Sequence, residues 1–235
     1  RPKRKQFKVI ETDSVLQLLE VDLIDMRTHP DRDFCYILHL IDHFSHFTWT
    51  LPLRDKTSPQ VLGAMKQIFY QCSLFPHRIQ CDNGAEFTAD EFFNFVLDWT
   101  GSEPNYITPR NPQTNGMVEQ SHRTLKDRLF SEILRDPHHG WTDKLNHCTL
   151  QMNICSSRGI GSLSPYQVFF NKEKPQQLIE FMHRPLPPER RNSQARRYQN
   201  VHQQPPKKHS SPVNQANLPH YGETNHSEVR IISQY

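Results

Sequence analysis

The chain of 235 residues is poor in hydrophobic residues, which make up 35% of it. No apolar run approaches the roughly 18–20 residues that a membrane-spanning helix needs, and no apolar stretch follows the basic start as it does in a signal peptide. The five cysteines are odd in number and form no Cys-x-x-Cys pair. This spacing argues against a disulfide framework and a structural zinc site, and it favours reduced thiols in an intracellular protein.

Net charge is also small, but it is unevenly distributed. The formal net charge is +3, yet residues 1–10 carry five Lys or Arg and no acid. Residues 184–235 carry eight basic and three acidic side chains, so the body between the two ends is acidic. This distribution fits a body whose carboxylates need cations and ends that hold a polyanion. The RPKRK start fits a nuclear-import patch, a phosphate-contacting arm or a plain solvated end.

Hydrophobic periodicity predicts a mixed α/β domain. Residues 20–26, 33–41 and 46–53 are rich in β-forming residues and predict a three-stranded meander. Strands and helices then alternate, which implies a mixed sheet with helices on its faces. The further strands are predicted at 78–81 and 105–108, and the helices from Ser58-Pro59 and at 87–99, 117–133, 141–153 and 164–170, with a loop at 108–116.

Composition divides the chain into three parts. Residues 1–19 form a basic N-terminal segment, residues 20–178 the folded core, and residues 179–235 a basic tail rich in proline. Such a tail cannot bury enough apolar surface to offset its conformational entropy, so we expect it to be disordered. The first residue is Arg1, so we expect a fragment of a longer chain or a processed product.

Three acidic residues occupy positions that suggest a metal site. Asp22 interrupts an apolar strand, where a carboxylate is costly unless something compensates it. Asp82 ends a second strand, and Glu119 lies one turn into a predicted helix. Three clustered acids repel one another unless cations lie between them. Two Mg²⁺ ions held in this way would activate an attacking oxygen and stabilise a leaving one during phosphoryl transfer.

The segments around these acids carry a family resemblance. They read VDLIDM at 21–26, IQCDNGAEFT at 79–88 and NPQTNGMVEQSHRTLK at 111–126, with 36 residues between Asp82 and Glu119. In this order they resemble the D,D,E signature of retroviral and LTR-retrotransposon (Gypsy-type) integrase catalytic cores. VDLIDM also resembles the segments of integrase-derived vertebrate host proteins. Residues 36–53 and 164–175 are similar to other parts of the same core.

The resemblance implies an RNase H-like fold, with a five-stranded mixed sheet in the order 3-2-1-4-5 flanked by helices. It implies that Asp22, Asp82 and Glu119 are catalytic and hold two Mg²⁺ or Mn²⁺ ions. It places Asn115 and Gly116 in a mobile loop beside the site, and it matches Arg123 and Lys126 to positions that touch DNA phosphates. DNA, further copies of the chain and host proteins are the partners that it implies, and the nucleus the location.

Two functions therefore stay open. The first is an active enzyme that processes DNA 3′ ends and transfers them into target DNA. The second is a domesticated, non-enzymatic module that binds nucleic acid or a protein partner. The intact triad favours the first, whereas the absence of the family's zinc module and C-terminal barrel from this sequence favours the second. A nuclease on the same fold is a weaker alternative, because NPQTNGMVE is typical of integrases.

Overall fold

A computed structural model describes residues 12–107 and 112–183, except for the side chains of residues 112–115, 158 and 181–183. These residues contain five strands and six α-helices. The strands are β1 (Leu19–Asp25), β2 (Tyr36–Asp42), β3 (Thr48–Leu53), β4 (Ile79–Cys81) and β5 (Asn105–Tyr106). The helices are α1 (Ser58–Cys72), α2 (Asp90–Thr100), α3 (Pro112–Arg135), α4 (Trp141–Ile154), α5 (Pro165–Phe170) and α6 (Gln176–His183).

The strands form one mixed sheet in the order β3-β2-β1-β4-β5. β1, β2 and β3 pair antiparallel, as the predicted meander requires, whereas β4 and β5 run parallel to β1. The implied strand order is thus confirmed. Pro52 lies within β3 rather than ending it, which an edge strand tolerates because one of its sides needs no ladder hydrogen bonds.

Side-chain alternation gives the sheet two different faces. One face packs on α1 and α2 through a large apolar core that includes Val21, Leu38 and Phe69. The other face packs on α3 and α4, and there Ile24 and Ile37 contact a smaller apolar cluster. The remainder of this second face is polar and buried, with Glu20, His39, Thr48, Thr50 and Gln80 each less than a tenth exposed. This polar half of the second face is the surface on which the candidate site is built.

Several helix boundaries differ from the predicted ones for local reasons. Ser58 was predicted as the N-cap of α1 and Pro59 as its first residue, but the helix begins at Ser58. Its N-cap is Thr57, whose hydroxyl donates to Asp55 instead of capping the helix. α2 begins three residues after the predicted Phe87, because the N–H groups of Phe87 and Thr88 both donate to the carbonyl of Gly84 in a turn. Ser164 caps α5 in a reciprocal arrangement with Gln167, which confirms the predicted start of that helix.

The helix that carries Glu119 is longer than predicted. Residues 112–116 were predicted as part of a loop, but α3 begins at Pro112, because proline is tolerated in the first turn of a helix. Residues 108–111 of the predicted loop lie outside the described residues, as do the N-terminal basic segment up to residue 11 and the tail from residue 184. The predicted core boundary at 178 falls inside α6, so residues 179–183 are helical and not disordered.

All five cysteines are free thiols, in agreement with the prediction. Burial raises the pKa of the Cys81 thiol to about 12, and nearby acids add to this shift. Within the described part of the chain, no helix combines the length and the apolar character that crossing a bilayer would require.

Candidate active site

Asp22 lies in the middle of the central strand β1, on the face that packs against α3 and α4. Its neighbour two residues along this face, Ile24, belongs to the apolar cluster beneath these helices. Its partner across the β1–β2 ladder is His39. Asp22 Oδ1 accepts a hydrogen bond of 2.7 Å from the backbone N–H of Leu23. A carboxylate therefore occupies a strand position whose surroundings are largely removed from water.

Asp82 directly follows β4, the strand next to β1. β1 and β4 pair in parallel with Leu19 opposite Ile79 and Glu20 opposite Gln80. Asp22 and Asp82 each follow this ladder by two residues, and the charge of Asp82 acts on Asp22. Asp82 Oδ1 accepts a 2.9 Å hydrogen bond from Gly84 N–H, which orients the carboxylate at the start of a turn.

The electrostatics of Asp22 reflect this crowding. Burial, together with the negative charges of Asp82, Glu20 and Glu86, raises the pKa of Asp22 to about 7, although the hydrogen bond from Leu23 opposes the shift. A nearby positive charge would favour the ionised form and lower this pKa. A bound cation would supply that charge and restore full ionisation.

Gly84 allows a further carboxylate to approach Asp82. A Cβ atom at Gly84 would lie 2.8 Å from Glu86 Cδ and 3.0 Å from Asp82 Oδ1, so only glycine fits without a shift of these groups. Glu86 is 7% exposed. Its Oε1 lies 3.7 Å from Lys56 Nζ, which provides partial neutralisation. Glu86 was not predicted as a site residue, although its place four residues after Asp82 in the same turn was a usable signal.

Glu119 is exposed on α3. In the described parts of the chain, no three His, Cys, Asp or Glu side chains lie close enough together to hold a metal ion. The structure thus brings Asp22 and Asp82 together, but it does not assemble Glu119 with them into such a group. Glu119 is connected to Asp22 only through its helix, because a residue of α3 one turn after Glu119 contacts Asp22.

That contact is made by His122. Its Nε2 lies 3.8 Å from Asp22 Oδ2. Burial, with a smaller effect from the charge of Lys126, lowers the pKa of His122 to about 4. His122 is therefore neutral near pH 7, and the contact with Asp22 is not an ion pair there. His122 was also missed from the sequence, although a polar residue three positions after Glu119 lies on the same side of the helix.

The integrase core domain family matches residues 13–112, which include Asp22 and Asp82 and end before Glu119. The chain is 27% identical to the Pro-Pol polyprotein of simian foamy virus type 1 over 141 residues, or 60% of the chain. It is 28% identical to the corresponding polyprotein of simian foamy virus type 3 over 144 residues. Each alignment covers only 12% of the polyprotein's length. Residues 13–112 thus match an integrase core domain, and this part of the chain is similar to retroviral polyproteins.

Solved structures of retroviral integrase cores confirm the fold. The magnesium-bound, trimeric form of the HTLV-2 integrase catalytic core aligns with a TM-score of 0.54 at 18% identity, over 66% of this chain and 97% of that one. The simian T-cell lymphotropic virus intasome in complex with the PP2A regulatory subunit B56 gamma gives 0.62 at 16% identity, over 80% of this chain and 63% of that one. At these identities the likeness establishes the RNase H-like architecture alone.

The other site residues that were predicted from the sequence all lie on α3. Asn115 and Gly116 were expected in a loop, but both belong to the first turns of this helix, and the side chain of Asn115 lies outside the described set. Arg123 is exposed. Lys126 Nζ donates a 3.2 Å hydrogen bond to the backbone carbonyl of Asp25 at the end of β1. Arg123 and Lys126 lie four and seven residues after Glu119, so the three share one side of the helix.

A polar chain of hydrogen bonds runs across the sheet beside Asp22. Gln80 Nε2 donates to Glu20 Oε2 at 3.3 Å, and Asn105 Nδ2 donates to Gln80 Oε1 at 2.8 Å. His43 Nε2 lies 3.4 Å from the same Glu20 oxygen. These residues were not predicted, but Glu20 shares the face of Asp22 by strand alternation, so the pattern contained the signal.

A separate cleft of about 570 Å³ lies between α3, the end of α4 and the segment that follows it. Its lining contains Arg128 and His46 but no Asp or Glu, so it offers no carboxylate to a metal ion. Asp22, Asp82 and Glu119 are therefore not among the residues that line this cleft. Among the residues that line it are Met117, Gln120, Ser121, Thr124, Met152 and Cys155.

Proposed function

We propose that this chain is the catalytic core of a polynucleotidyl transferase that processes DNA 3′ ends and transfers them into target DNA. The observation that carries the proposal is the proximity of Asp82 to Asp22. The parallel β1–β4 ladder includes Glu20 and Gln80, two residues before each acid, and the charge of Asp82 contributes to the raised pKa of Asp22. Such an arrangement costs stability unless a ligand relieves it, and costly charge clusters are typical of functional sites.

The donor set fits a divalent cation. Mg²⁺ and Mn²⁺ prefer carboxylate oxygens, and the negative charges of Asp82, Glu20 and Glu86 add to the burial that raises the pKa of Asp22. Asp22 and Asp82 would hold the ions, with Glu119 as the third ligand supplied by α3. When bound, two such ions would activate the attacking oxygen and stabilise the leaving oxygen of a phosphodiester.

The side chains around the acids would position the DNA. Arg123 and Lys126 lie on the side of α3 that carries Glu119, so they would bind phosphates on either side of the scissile bond. Asn115 and Gly116 would lie against the DNA at the start of the same helix. Lys126 is already fixed by the carbonyl of Asp25, which sets the distance between its ammonium group and β1.

We further propose DNA as the main partner, self-association of the core, and host proteins as additional partners in the nucleus. Dimeric and trimeric forms are among the solved HTLV-2 cores to which this chain is similar. A host regulatory subunit is bound in the solved simian intasome. For this chain these partners are inferences from similarity of fold.

A second candidate is a non-enzymatic module that uses the same fold to bind nucleic acid or a protein. The observation that favours it is the exposed position of Glu119, which does not join Asp22 and Asp82 in a three-membered metal group within the described residues. An integrase core that had become a binding module would not need α3 to bring its carboxylate to the strands.

The Glu119→Gln variant separates the two candidates. It keeps the size and hydrogen-bonding capacity of the side chain but removes an anionic ligand. If the core is catalytic, strand transfer or disintegration on oligonucleotide substrates in Mn²⁺ should fall by orders of magnitude, because charge stabilisation by the metal dominates this chemistry. Glu91→Gln is a matched control, since Glu91 is an exposed glutamate on another helix, α2.

Folding and DNA binding should be unchanged in both variants, as checked by thermal unfolding and by fluorescence anisotropy with labelled duplex. Wild-type joining that disappears in Glu119→Gln but persists in Glu91→Gln supports the enzyme. Absence of any joining or cleavage by the wild type, with equal DNA binding by all three proteins, would refute the enzyme and leave the binding module as the better account.

A further inference from the structure

The cleft of about 570 Å³ beside α3 has no part in the proposed chemistry. Its volume is within the range of about 300–1,000 Å³ that is typical of small-molecule sites in proteins. α3 forms one wall, the end of α4 and the segment that follows it form another, and His46 from the turn between β2 and β3 also lines it. A cavity of this size takes a ligand larger than a single ion, so the chemistry of its walls decides which ligand it suits.

The charge of the cleft comes from Arg128, which is half-buried. Among the described residues that line the cleft, Arg128 is the one Lys or Arg, and none is Asp or Glu. Glu132, the acid one turn further along α3, is paired with Arg135 at 2.8 Å, and within the described part of the chain Arg128 itself forms no ion pair. A half-buried guanidinium without a counter-ion favours an anionic ligand.

The guanidinium of Arg128 is held in place from α4. Its Nη1 donates a 3.2 Å hydrogen bond to Gln151 Oε1. Its Nε is buried and has no hydrogen-bond partner among the described residues. A buried donor without an acceptor is costly, and hydrogen bonds from a guanidinium to a phosphate are among the strong ones. Arg128 is therefore oriented in advance and still lacks an acceptor.

His46 contributes a polar but uncharged ring to the lining. Burial and the charge of His43 lower the pKa of His46, although Asp42 opposes the shift, so the ring is largely neutral at pH 7. The ring lies against the backbone of Gly159, where a Cβ atom would be 2.7 Å from His46 Cε1. A side chain at residue 159 would therefore displace His46, and glycine preserves the shape of the cleft.

The remaining walls combine polar groups with apolar surface. Ser121 is already engaged, because its hydroxyl lies 2.9 Å from Nε2 of the buried His39. Burial lowers the pKa of His39 well below its usual range, so this hydrogen bond is neutral. Besides Ser121, the polar and apolar side chains of the lining include Gln120, Ser156, Ser157, Met117 and Met152. A lining of this kind suits a molecule that joins an anionic group to a larger, partly apolar body.

We propose that this cleft binds a nucleotide, with Arg128 contacting its phosphate and the other walls receiving its base and sugar. A nucleotide joins an anionic phosphate to a planar base whose edge carries donors and acceptors, which is the combination that the lining suits. The nucleotide is either free or the unpaired end of a DNA strand, and both sources share the phosphate. This inference goes beyond the proposed metal chemistry, because Asp22, Asp82 and Glu119 do not line the cleft.

Cys155 provides a readout that is confined to the cleft. It is a free thiol in the lining, whereas Cys72 is an exposed free thiol outside it. The full chain is alkylated with iodoacetamide in the presence of EDTA, and modification of each cysteine is followed by mass spectrometry. dTMP should slow the alkylation of Cys155 in a saturable way and leave that of Cys72 unchanged. Thymidine, which lacks the phosphate, should protect Cys155 about 10-fold more weakly or less.

The variant R128M tests the contact with the phosphate. It removes the guanidinium but keeps an apolar stem, and it should raise the dTMP concentration for half-protection of Cys155 by about 10- to 100-fold. R78M is the matched control, since Arg78 is exposed and lies outside the lining. This control should be protected as the wild type is, and thermal unfolding checks that both variants are folded.

A second pair of variants leaves Arg128 intact, which preserves the test if R128M fails to fold. Ser156 is exposed and lines the cleft, so it accepts a larger side chain. S156E adds a carboxylate that repels the phosphate and should weaken protection by dTMP. S156Q has a side chain of the same size without the charge and should retain most of the protection.

A short oligothymidylate with a 5′ phosphate distinguishes the two sources of the nucleotide. Protection of Cys155 by either probe supports the inference; stronger protection by the strand identifies a DNA end, and stronger protection by dTMP identifies a free nucleotide. Absence of protection by both probes in the wild type would overturn it, as would equal protection by dTMP and thymidine. Folded R128M that is protected as well as R78M would do the same. Because EDTA is present throughout, none of these results depends on the proposed metal site.

Discussion

Replacing Asp22 by Asn should stabilise the fold at pH 8 and have little effect near pH 4. The pKa of Asp22 is raised to about 7 in the folded protein, whereas an aspartate in an unfolded chain titrates near about 3.9. Between these values the folded state holds a proton that the unfolded state has released. For a carboxyl group with a raised pKa, the associated stability is complete below the unfolded value and is lost as the pH rises to the folded one.

The magnitude follows from the size of the shift. A difference of about three pKa units corresponds to roughly 4 kcal/mol of lost stability. The side chain of Asp22 is 34% exposed, so solvent screening reduces the expected effect to about 2 kcal/mol. Asn at this position keeps the carbonyl oxygen that accepts from Leu23 N–H, so the backbone contact survives the substitution.

Urea unfolding of the wild type and of Asp22→Asn at several pH values from 4 to 8 measures the effect. The difference between the two proteins isolates the carboxyl group, because every other titratable group is common to both. Asp25→Asn is a control on the same strand, since Asp25 is exposed and its pKa is lowered by hydrogen bonds from Arg27. This control should not gain stability at pH 8.

A second measurement connects this prediction to the metal. Mg²⁺ or Mn²⁺ should raise the free energy of unfolding of the wild type at pH 8 and should do so less for Asp22→Asn, because a ligand that binds the folded state stabilises it. Parallel stability-versus-pH curves for wild type and Asp22→Asn would refute the argument, because they would mean that Asp22 is ionised without penalty.

Three further predictions concern other parts of the molecule. Gly84→Ala should cost about 1 kcal/mol in thermal unfolding and weaken Mn²⁺ binding, because its Cβ would displace Glu86 and Asp82; unchanged binding would contradict this. Asn153→Ala should lower the free energy of unfolding in urea by about 1–3 kcal/mol, because its amide pairs with both the N–H and the carbonyl of Thr48. Deletion of residues 184–235 should weaken DNA binding and flatten its salt dependence, since the segment is basic; an unchanged salt slope would show that the segment does not contact DNA.

The strand pattern was sufficient to predict the strands and to place Asp22 and Asp82 on or beside them, whereas the strand order came from the family resemblance. The meander, the following short strands and the position of Asp22 within β1 all follow from alternation of apolar and polar residues. Asp82 could be placed after β4 because a turn sequence follows it. Periodicity also identified the buried face of α1, where Val61, Met65 and Phe69 lie in the core.

Helix ends and side-chain neighbours could not be predicted in the same way. The start of α3 depends on whether Pro112 opens a helix or ends a loop, and its local sequence permits both. The spacing of Glu86 from Asp82 and of His122 from Glu119 gave a signal, but the proximity of these residues and of His39 to Asp22 depends on tertiary packing. The pKa of Asp22 depends on these neighbours, so it too required the structure.

The polar half of the second sheet face holds α4 and α3 through different kinds of contact. α4 is held there by Asn153, which pairs with the backbone of β3, and by the hydroxyl pair of Thr50 and Thr149. α3 is held by one neutral hydrogen bond from His39 and by the contact between His122 and Asp22. The second of these contacts responds to the charge on Asp22, so a cation bound by Asp22 and Asp82 would also alter the surface on which α3 packs. Metal binding and the packing of α3 on the sheet are therefore expected to be coupled, and the coupling should appear as non-additive effects of Asp22→Asn and Ser121→Ala on Mn²⁺ affinity.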